Sequence, residues 1–440
     1  MTRQGKEHKD IIIIGGGLAG LTAAHMLSHL GVDTLLVERD SALGGGNRSL
    51  RDQRGNSFDK GYHALDCDRS RVTERFFQRV LGGRCLPHPL RRGIALKDEL
   101  LDYNAPLSQW PESLRALFDT SPEVDDLSGE ITEAKLRGIY GERFSRFVYD
   151  EVLSSYPSKR WALAQGGRAE DHMGIIYPWF FPRTAKSVER DNEWDRYHDR
   201  MRHREQSILY PEQGGFEAFV TAIAEDVDRR HAELLTGTAI DFQWQADGVH
   251  LAGIRCGERE LSADRYLWCA PPPLLFKALS IPFSVGVPQE LVLGNFEFEA
   301  PIDSEYLEIL VGSAQHLINR IGFPDKLAGK GERLLQVEFY FPKGEYALSA
   351  EQWRDSWSQS LRTLGVAAAA NKPRHFEFYS EIRGVATVEP LEAIKDQFQQ
   401  TFAALETNIR IPYLNMGPEN INRVVPGVLA GVADILRETP

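Results

Sequence analysis

The first residues of this chain that could carry chemistry are glycines with the spacing of a phosphate-binding turn. Gly15, Gly17 and Gly20 form the pattern G-x-G-x-x-G, and Glu38 follows after a second apolar run. In such a turn, the first glycine permits the tight bend, the second lets the backbone approach a pyrophosphate, and the third lets helix and strand pack closely. A carboxylate placed like Glu38 can accept hydrogen bonds from ribose hydroxyls. The pattern predicts a dinucleotide site, and the alternative is an ordinary glycine turn in an α/β unit.

The segments around these glycines have the periodicity that such a site needs. Ile11–Ile14 are β-branched and predict a buried parallel strand, and Thr34–Val37 predict a second one. Leu18–Leu30 predict the helix between them, with Gly31 as its stop. The N-terminus of this helix would offer free N–H groups and a positive dipole to phosphates. The other candidate contacts here are Leu18, Ala19 and Arg39.

A second glycine cluster indicates which dinucleotide is bound. The stretch RDSALGGGNRS after Glu38 resembles the continuation found in flavoproteins of the amine oxidase, phytoene desaturase, protoporphyrinogen oxidase and UDP-galactopyranose mutase superfamily. In that family, the second glycine pair and a following Arg or Asn lie against FAD. The resemblance implies FAD contacts from Gly45, Gly46, Asn47 and Arg48. One extra glycine leaves open which of Asn47 and Arg48 has the family role, and Arg48 could instead be a solvated loop cation.

The loop FDKGYHALD resembles the family's D-x-G-x-H loop, which passes close to the isoalloxazine ring in mutase-like members. The resemblance implies cofactor contacts from Gly61, Tyr62 and His63. His63 is the candidate catalytic residue near flavin N5, as a hydrogen-bond partner or proton shuttle. The alternative is a structural histidine.

Later segments resemble the returns of the family chain to its FAD-binding domain. Three strand-like stretches that end in ADRYLWCAPP resemble a β-meander, and they imply that the backbone at Thr238 and Ala239 lies near adenine. The C-terminal stretch IPYLNMGPENINRVVPGVL has no Asp at the family's usual place, so Glu419 or Asn420 would substitute, and Gly417 is a further candidate cofactor contact. A helix predicted to start near Pro426 would point the amides of Gly427 and Val428 at the flavin.

Two arginines are candidates for the substrate side. Arg183 in WFFPRT and Arg320 in LINRIGF occupy places where mutase-like members use arginines to hold a nucleotide-sugar diphosphate. Surface or structural ion pairs are the alternative for each of them. Alternation in LLQVEFYF predicts a strand on which Glu338 could face inward.

The predicted fold class is α/β: a Rossmann-like FAD-binding domain with a doubly wound parallel sheet and a β-meander, interleaved with an α+β substrate-binding domain. The first domain is assigned residues 1–65, 207–270 and 401–440, and the second residues 66–206 and 271–400. A net charge of −12 argues against general affinity for nucleic acid or anionic membranes. The chain also lacks an apolar run that could span a bilayer, which makes the cytoplasm the default compartment.

The resemblance implies an FAD-dependent oxidase, dehydrogenase or desaturase that takes hydride from a small organic substrate. A non-redox enzyme of the mutase kind is the first alternative, and a flavin-binding protein without catalysis is the second. Because no cysteine follows Cys269, non-covalent FAD is expected. The four cysteines have no CxxC pair, and no metal site is predicted. A homodimer is left open.

Overall fold

The computed structural model describes residues 6–67, 70–119, 124–125, 131–172, 180, 186–187, 207–230, 232–283, 285–414 and 421–438. Its strands are β1 (Glu7–Ile14), β2 (Thr34–Val37), β3 (Ser49–Arg51), β4 (Ser57–Asp59), β5 (Leu65–Asp66), β6 (Cys85–Pro89), β7 (Arg92–Leu96), β8 (Glu99–Asp102), β9 (Val124–Asp125), β10 (Lys186–Ser187), β11 (Ser207–Pro211), β12 (Glu233–Leu235), β13 (Ile240–Trp244), β14 (Leu251–Cys256), β15 (Arg259–Trp268), β16 (Val287–Phe298), β17 (Glu308–Val311), β18 (Arg320–Gly322), β19 (Leu334–Pro342), β20 (Pro373–Ala386) and β21 (Ile409–Arg410).

Its α-helices lie between these strands or follow the last of them. They are α1 (Leu18–His29), α2 (Arg71–Val80), α3 (Glu112–Arg115), α4 (Glu133–Tyr140), α5 (Glu142–Phe147), α6 (Pro157–Ala164), α7 (Glu217–Arg229), α8 (Pro272–Ala278), α9 (Pro324–Leu327), α10 (Ala350–Thr363), α11 (Leu391–Ala403) and α12 (Ile421–Arg437). None of the described helices combines the length and the apolar character that crossing a membrane requires.

The first sheet is parallel at its centre. Its strand order is β12-β2-β1-β15-β14-β13, with β21 also paired to β15. Strands β12, β2, β1, β15 and β21 run parallel, whereas β13 and β14 form an antiparallel meander at one edge. Ile11–Ile14 alternate between two cores, one on each face, which explains why four consecutive apolar residues suit β1. The predicted α/β fold with a parallel sheet and meander is confirmed.

The second sheet is mixed and comes from two separate stretches of the chain. Its order is β20-β16-β19-β18-β17-β7-β8, and only β17 and β7 pair in parallel. On β19, the apolar Phe339 and Phe341 pack against Trp353 of α10. The alternating residues Gln336 and Glu338 face the other way and bond to the loop after β4. This polar face therefore points at the first domain.

The packing of two helices differs from the proposed division of the chain. Phe77 of α2 packs in the same core as α1 and α7, although residues 66–206 were assigned to the second domain. Phe398 of α11 stacks on Phe276 in the core beneath the first sheet, with ring centroids 4.3 Å apart. Residues 271–400 were nevertheless assigned to the second domain. Both helices thus belong physically with the first sheet, and the remaining domain boundaries stay a proposal.

We predict that Gly20→Ala lowers the free energy of unfolding of the cofactor-free protein by about 1–3 kcal/mol, because overpacking forces α1 away from the β1 turn. A Cβ on Gly20 would lie 1.9 Å from the Gly15 carbonyl oxygen. Denaturant unfolding measures the change. Gly138→Ala in α4 is the matched control, because a Cβ there meets no atom within 4 Å. Equal stability of the two variants would contradict the packing assigned to Gly20.

Candidate functional site

The glycine turn after β1 has the geometry of a phosphate cradle. Gly15 has φ +107°, and a Cβ on it would lie 2.8 Å from the Ala270 nitrogen. Gly17 begins α1 as its N-cap, and a Cβ on it would meet no atom within 4 Å. The first turn of α1 carries no acidic side chain. Open space therefore lies beside a helix N-terminus whose partial positive charge the first turn leaves uncompensated.

The carboxylate of Glu38 is oriented by the backbone. Its Oε2 accepts a hydrogen bond from the Gly16 nitrogen at 2.6 Å, and its Oε1 accepts one from the Asp40 nitrogen at 2.8 Å. Arg39 between them points into solvent, where its Nε lies 3.3 Å from Asp40 Oδ1. Glu38 is therefore held beside the glycine turn, at the end of β2, which is where a ribose-binding acid is needed.

The predicted adenine segment lies beside this acid. The Glu38 nitrogen donates to the Leu235 carbonyl at 2.8 Å, and the Gly237 nitrogen donates to the Asp40 carbonyl at 2.8 Å. Thr238 bends back to its own loop, with Oγ1 donating to the Thr236 carbonyl at 3.2 Å. Contact of Thr238 and Ala239 with adenine stays a prediction.

The second glycine cluster continues the surface of the first. The Gly44 nitrogen donates to the Gly16 carbonyl at 2.8 Å, and Gly44 forms an isolated parallel bridge with Gly17. Gly45, Gly46 and Asn47 follow as one 3-10 turn, and a Cβ on Gly45 would lie 3.4 Å from the Gly17 Cα. The two clusters, distant in sequence, thus present one backbone surface to a ligand.

Arg48 brings a positive charge to this surface. Its Nε is buried and makes no hydrogen bond to any described residue, and its closest acidic group is Glu217, with Nε and Oε1 3.9 Å apart. Burying a guanidinium N–H without an acceptor is costly. A phosphate oxygen would satisfy it, so the donor set fits a dinucleotide here.

The loop that carries His63 is anchored by a buried carboxylate. Asp59 accepts hydrogen bonds from Ser49 Oγ at 2.7 Å, Tyr210 Oη at 2.7 Å and the Phe216 nitrogen at 2.8 Å. Burial raises the pKa of Asp59 to about 6, and these three donors act in the opposite direction. The loop after β4 is consequently fixed to the start of α7.

His63 is partly buried and neutral. Its Nδ1 lies 2.8 Å from the Gly61 carbonyl, and its ring stacks on Phe216 at 5.4 Å. Burial, followed by the positive charge of Arg383, lowers the pKa of His63 to about 4. Because a carbonyl only accepts, Nδ1 carries the proton and Nε2 is the basic nitrogen. His63 lines a small cavity with other side chains of the interface, namely Asp59, Tyr62, Phe323 and Gln336.

Glu338 joins this loop to the second sheet. Its Oε2 accepts a hydrogen bond from the Tyr62 nitrogen at 2.8 Å. Gly61 has φ +84°, and a Cβ on it would lie 2.8 Å from the same oxygen, so only glycine fits without displacement. The predicted inward orientation of Glu338 is confirmed.

Arg320 is held between carboxylates. Its Nε lies 3.5 Å from Glu308 Oε2, its Nη1 lies 3.7 Å from Glu338 Oε1, and its Cζ lies 5.4 Å from the Tyr62 ring centroid. Glu308 also accepts from Arg92. The structural ion pair that the sequence left as an alternative for Arg320 is therefore present.

Arg383 and the side chains around it were not predicted from the sequence. Arg383 donates to the Lys60 carbonyl and pairs with Glu381, which also pairs with the Lys60 ammonium at 2.7 Å. A Cβ on Gly46 would lie 3.7 Å from the Arg383 guanidinium carbon. The available signal was alternation on β20, where Tyr379, Glu381 and Arg383 share one face.

The C-terminal prediction is wrong in its helix start. Helix α12 begins at Ile421, and Pro426 lies inside it. Val428 is fully buried, and a Cβ on Gly427 would lie 2.3 Å from the Tyr413 ring, so both residues pack in the protein interior. Both also come after the first helical turn, which is the turn whose backbone amides have no partner within the helix. Four predicted residues lie outside the described part of the chain: Arg183, Gly417, Glu419 and Asn420.

Solved structures share this architecture over nearly the whole chain. A reduced UDP-galactopyranose mutase aligns with a TM-score of 0.69 at 13% identity, covering 98% of this chain and 95% of that one. A putrescine oxidase variant aligns with a TM-score of 0.61 at 15% identity, covering 99% and 100%. A fatty acid isomerase from P. acnes aligns with a TM-score of 0.57 at 11% identity, covering 98% and 99%. These identities establish the fold alone.

Similarity to curated proteins is confined to short segments. A Danio rerio protein named inactive all-trans-retinol 13,14-reductase is 39% identical over 57 residues, which are 13% of this chain. A thiamine thiazole synthase from Methanococcus vannielii is 54% identical over 37 residues, which are 8% of this chain. The matches span 9% and 14% of the length of these relatives.

A match of wider extent comes from a protein family. The sequence profile of the flavin-containing amine oxidoreductases matches residues 18–292. This range begins one residue after Gly17 and contains helix α1 of the phosphate cradle, the second glycine cluster and the loop of His63. The chain therefore belongs to the flavin-containing amine oxidoreductase family, within the FAD-dependent amine oxidase-like superfamily.

Proposed function

We propose that this protein is an oxidoreductase that holds FAD non-covalently and takes hydride from a C–H bond of a small organic substrate. The observation that carries the proposal is that the glycine loop ending at Arg48 joins the phosphate cradle to the second sheet. It pairs with Gly17 on one side, and on the other it approaches Arg383 on the second sheet, to which the loop of His63 also bonds.

The residues of the phosphate cradle would each bind a different part of the cofactor. Gly17 and the N-terminus of α1 would receive the pyrophosphate, since the backbone is open there and the amides carry partial positive charge. Glu38 would accept from the ribose hydroxyls, and the buried donor of Arg48 would bind a phosphate oxygen. When bound, the flavin would supply the hydride acceptor.

His63 would act as a hydrogen-bond acceptor or base beside the reacting atoms. Its Nδ1 proton is engaged by the Gly61 carbonyl, so Nε2 retains its lone pair. Because its pKa is lowered to about 4, the ring is neutral throughout the usual pH range and adds no positive charge to the site. Its free Nε2 lone pair can accept a hydrogen bond from a substrate N–H or O–H as hydride leaves.

The charge balance of the opposite wall favours a redox enzyme over a mutase. The described ion-pair network there contains four cations and three carboxylates, namely Arg92, Arg320, Arg383, Lys60, Glu308, Glu338 and Glu381. Only one positive charge remains, whereas a nucleotide-sugar diphosphate carries two negative charges. Arg320 in particular already faces two carboxylates.

The cysteines support non-covalent binding. Cys269 is the last in the chain, and burial raises the pKa of its thiol to about 12. It lies behind the glycine cradle, with its Cβ 3.5 Å from the position of a Cβ on Gly20. A thiol on that side faces the packed helix, and the C-terminal part of the chain offers no other sulfur nucleophile for a flavin link.

The central test is anaerobic mixing of the purified yellow protein with a panel of amines that begins with putrescine. We expect at least one donor to bleach the visible flavin absorption, and air or a quinone to restore it. In a parallel arm, UDP-galactopyranose is offered before and after dithionite reduction. Sugar interconversion that requires reduction and consumes no electrons would overturn the redox proposal. Colourless protein that takes up no added FAD would overturn the cofactor assignment.

Gly17→Ala is expected to reduce the flavin-to-protein ratio while leaving the cofactor-free fold intact, because the added methyl enters open space reserved for the pyrophosphate. Glu38→Ala should weaken FAD binding by about tenfold through loss of the ribose contact. Fluorescence titration of reconstituted protein measures both effects. Gly138→Ala should bind FAD like the natural protein. Undiminished affinity in both site variants would refute the assignment of the cradle.

His63→Asn should reduce turnover by about 100-fold or more while flavin content stays unchanged, since the variant keeps a polar side chain but loses the basic nitrogen. The pH profile is diagnostic. A neutral ring with a pKa of about 4 loses its basic nitrogen only as pH falls through that value, so the natural protein should show this acid limb and His63→Asn should not. His250→Ala, at a partly exposed histidine that pairs with Asp247, is the control. Full turnover by His63→Asn would remove His63 from the mechanism.

A further inference from the structure

A cluster of three potential metal ligands lies between α1 and α7, apart from the flavin site. His25 and His29 are one helical turn apart on α1, and Asp226 approaches them from α7. The Nε2 atoms of both rings lie 3.0 Å from the same oxygen, Asp226 Oδ2. The three ligand atoms all lie within 4.8 Å of one another.

These separations match the coordination sphere of a small divalent ion. With metal–ligand bonds of about 2.1 Å, neighbouring ligand atoms are about 3.0 Å apart in an octahedral site and about 3.4 Å in a tetrahedral one. Histidines four residues apart on one helix face are a recurrent pair of zinc ligands. An ion could therefore enter after small side-chain shifts, with no movement of either helix.

We propose that His25 Nε2, His29 Nε2 and an oxygen of Asp226 bind one divalent first-row transition ion, which ties α1 to α7. Solvent would complete the coordination, because the side chains of His29 and Asp226 are 24% and 23% exposed. Two imidazoles and one carboxylate form a donor set suited to zinc, cobalt or iron.

Metal binding would fix the tautomer of both imidazole rings. On binding, each ring would hold its remaining proton on Nδ1, and Nε2 would give its lone pair to the ion.

Neighbouring arginines set a limit on affinity. Arg230 Nε lies 3.3 Å from Asp226 Oδ2, and Arg229 Nη2 lies 3.6 Å from Oδ1. Both compete with a cation for the carboxylate and repel its charge. Removing Arg230 should therefore tighten metal binding, which is the opposite of what loss of a merely structural ion pair would do.

Calorimetric titration of Zn²⁺ into the untagged, chelator-treated flavoprotein tests the proposal. We expect one site per chain, weakened by about tenfold or more in both His29→Ala and Asp226→Asn. Arg230→Gln should bind Zn²⁺ more tightly. The control is His250→Ala, which removes a partly exposed histidine that pairs with Asp247 and belongs to no potential metal-ligand group among the described residues.

A second readout does not depend on activity or on heat signals. Zn²⁺ should raise the unfolding temperature of the natural protein, because a ligand that binds only the folded state stabilises it, and His29→Ala should not respond. His29 is partly exposed, so this variant is expected to fold. Absence of saturable Zn²⁺ binding, or equal affinity in the natural protein and both ligand variants, would overturn the proposal.

Discussion

The arrangement of the site depends on one buried carboxylate, Glu338. It is 5% exposed, accepts the Tyr62 N–H through one oxygen and faces Arg320 with the other. An unpaired charge in that position would cost several kcal/mol, so the loop after β4 and strand β18 must both reach it. Because Tyr62 precedes His63, the same bond fixes the imidazole. The same carboxylate therefore stabilises the interface between the two sheets and positions the loop of the candidate base.

Asp59 holds the other end of the same loop. Its three donors come from β3, β11 and the start of α7, and its own carbonyl accepts from Gln336 of β19 at 2.8 Å. The loop of His63 is thus clamped by a carboxylate on each side, one from each domain. Such double anchoring leaves little freedom for the ring, and rigid placement of a base is what an active site needs. Loss of either carboxylate would act on His63 without touching it.

The sequence predicted what short-range patterns determine. The run Ile11–Ile14, the glycine spacing and Glu38 define a βαβ unit within a few dozen residues. The structure reproduces the second strand, ends the helix one residue earlier at His29 and starts β1 four residues earlier at Glu7. Arg383 was missed because alternation on β20 gives the face on which it lies but does not show that this face meets the Lys60 carbonyl, which is distant in sequence. The start of α12 was misplaced because Pro426 suggested a first turn, whereas the helix begins at Ile421 and continues past a proline that cannot donate a backbone hydrogen bond to Asn422. Elements defined by neighbouring residues could be predicted from the sequence, whereas contacts between distant segments could not.

Helix α1 connects the two sites that the structure suggests. Its N-terminus faces the cradle at Gly17, and His29 at its other end lies about 18 Å further along the helix at 1.5 Å per residue. Charges separated by that distance are largely screened at ordinary salt, so an ion at His29 would barely alter the field at the phosphates. Its influence would instead be mechanical. By fixing α1 to α7, it would hold the helix that Gly20 packs onto β1, and through α7 it would support the Phe216 ring on which His63 stacks.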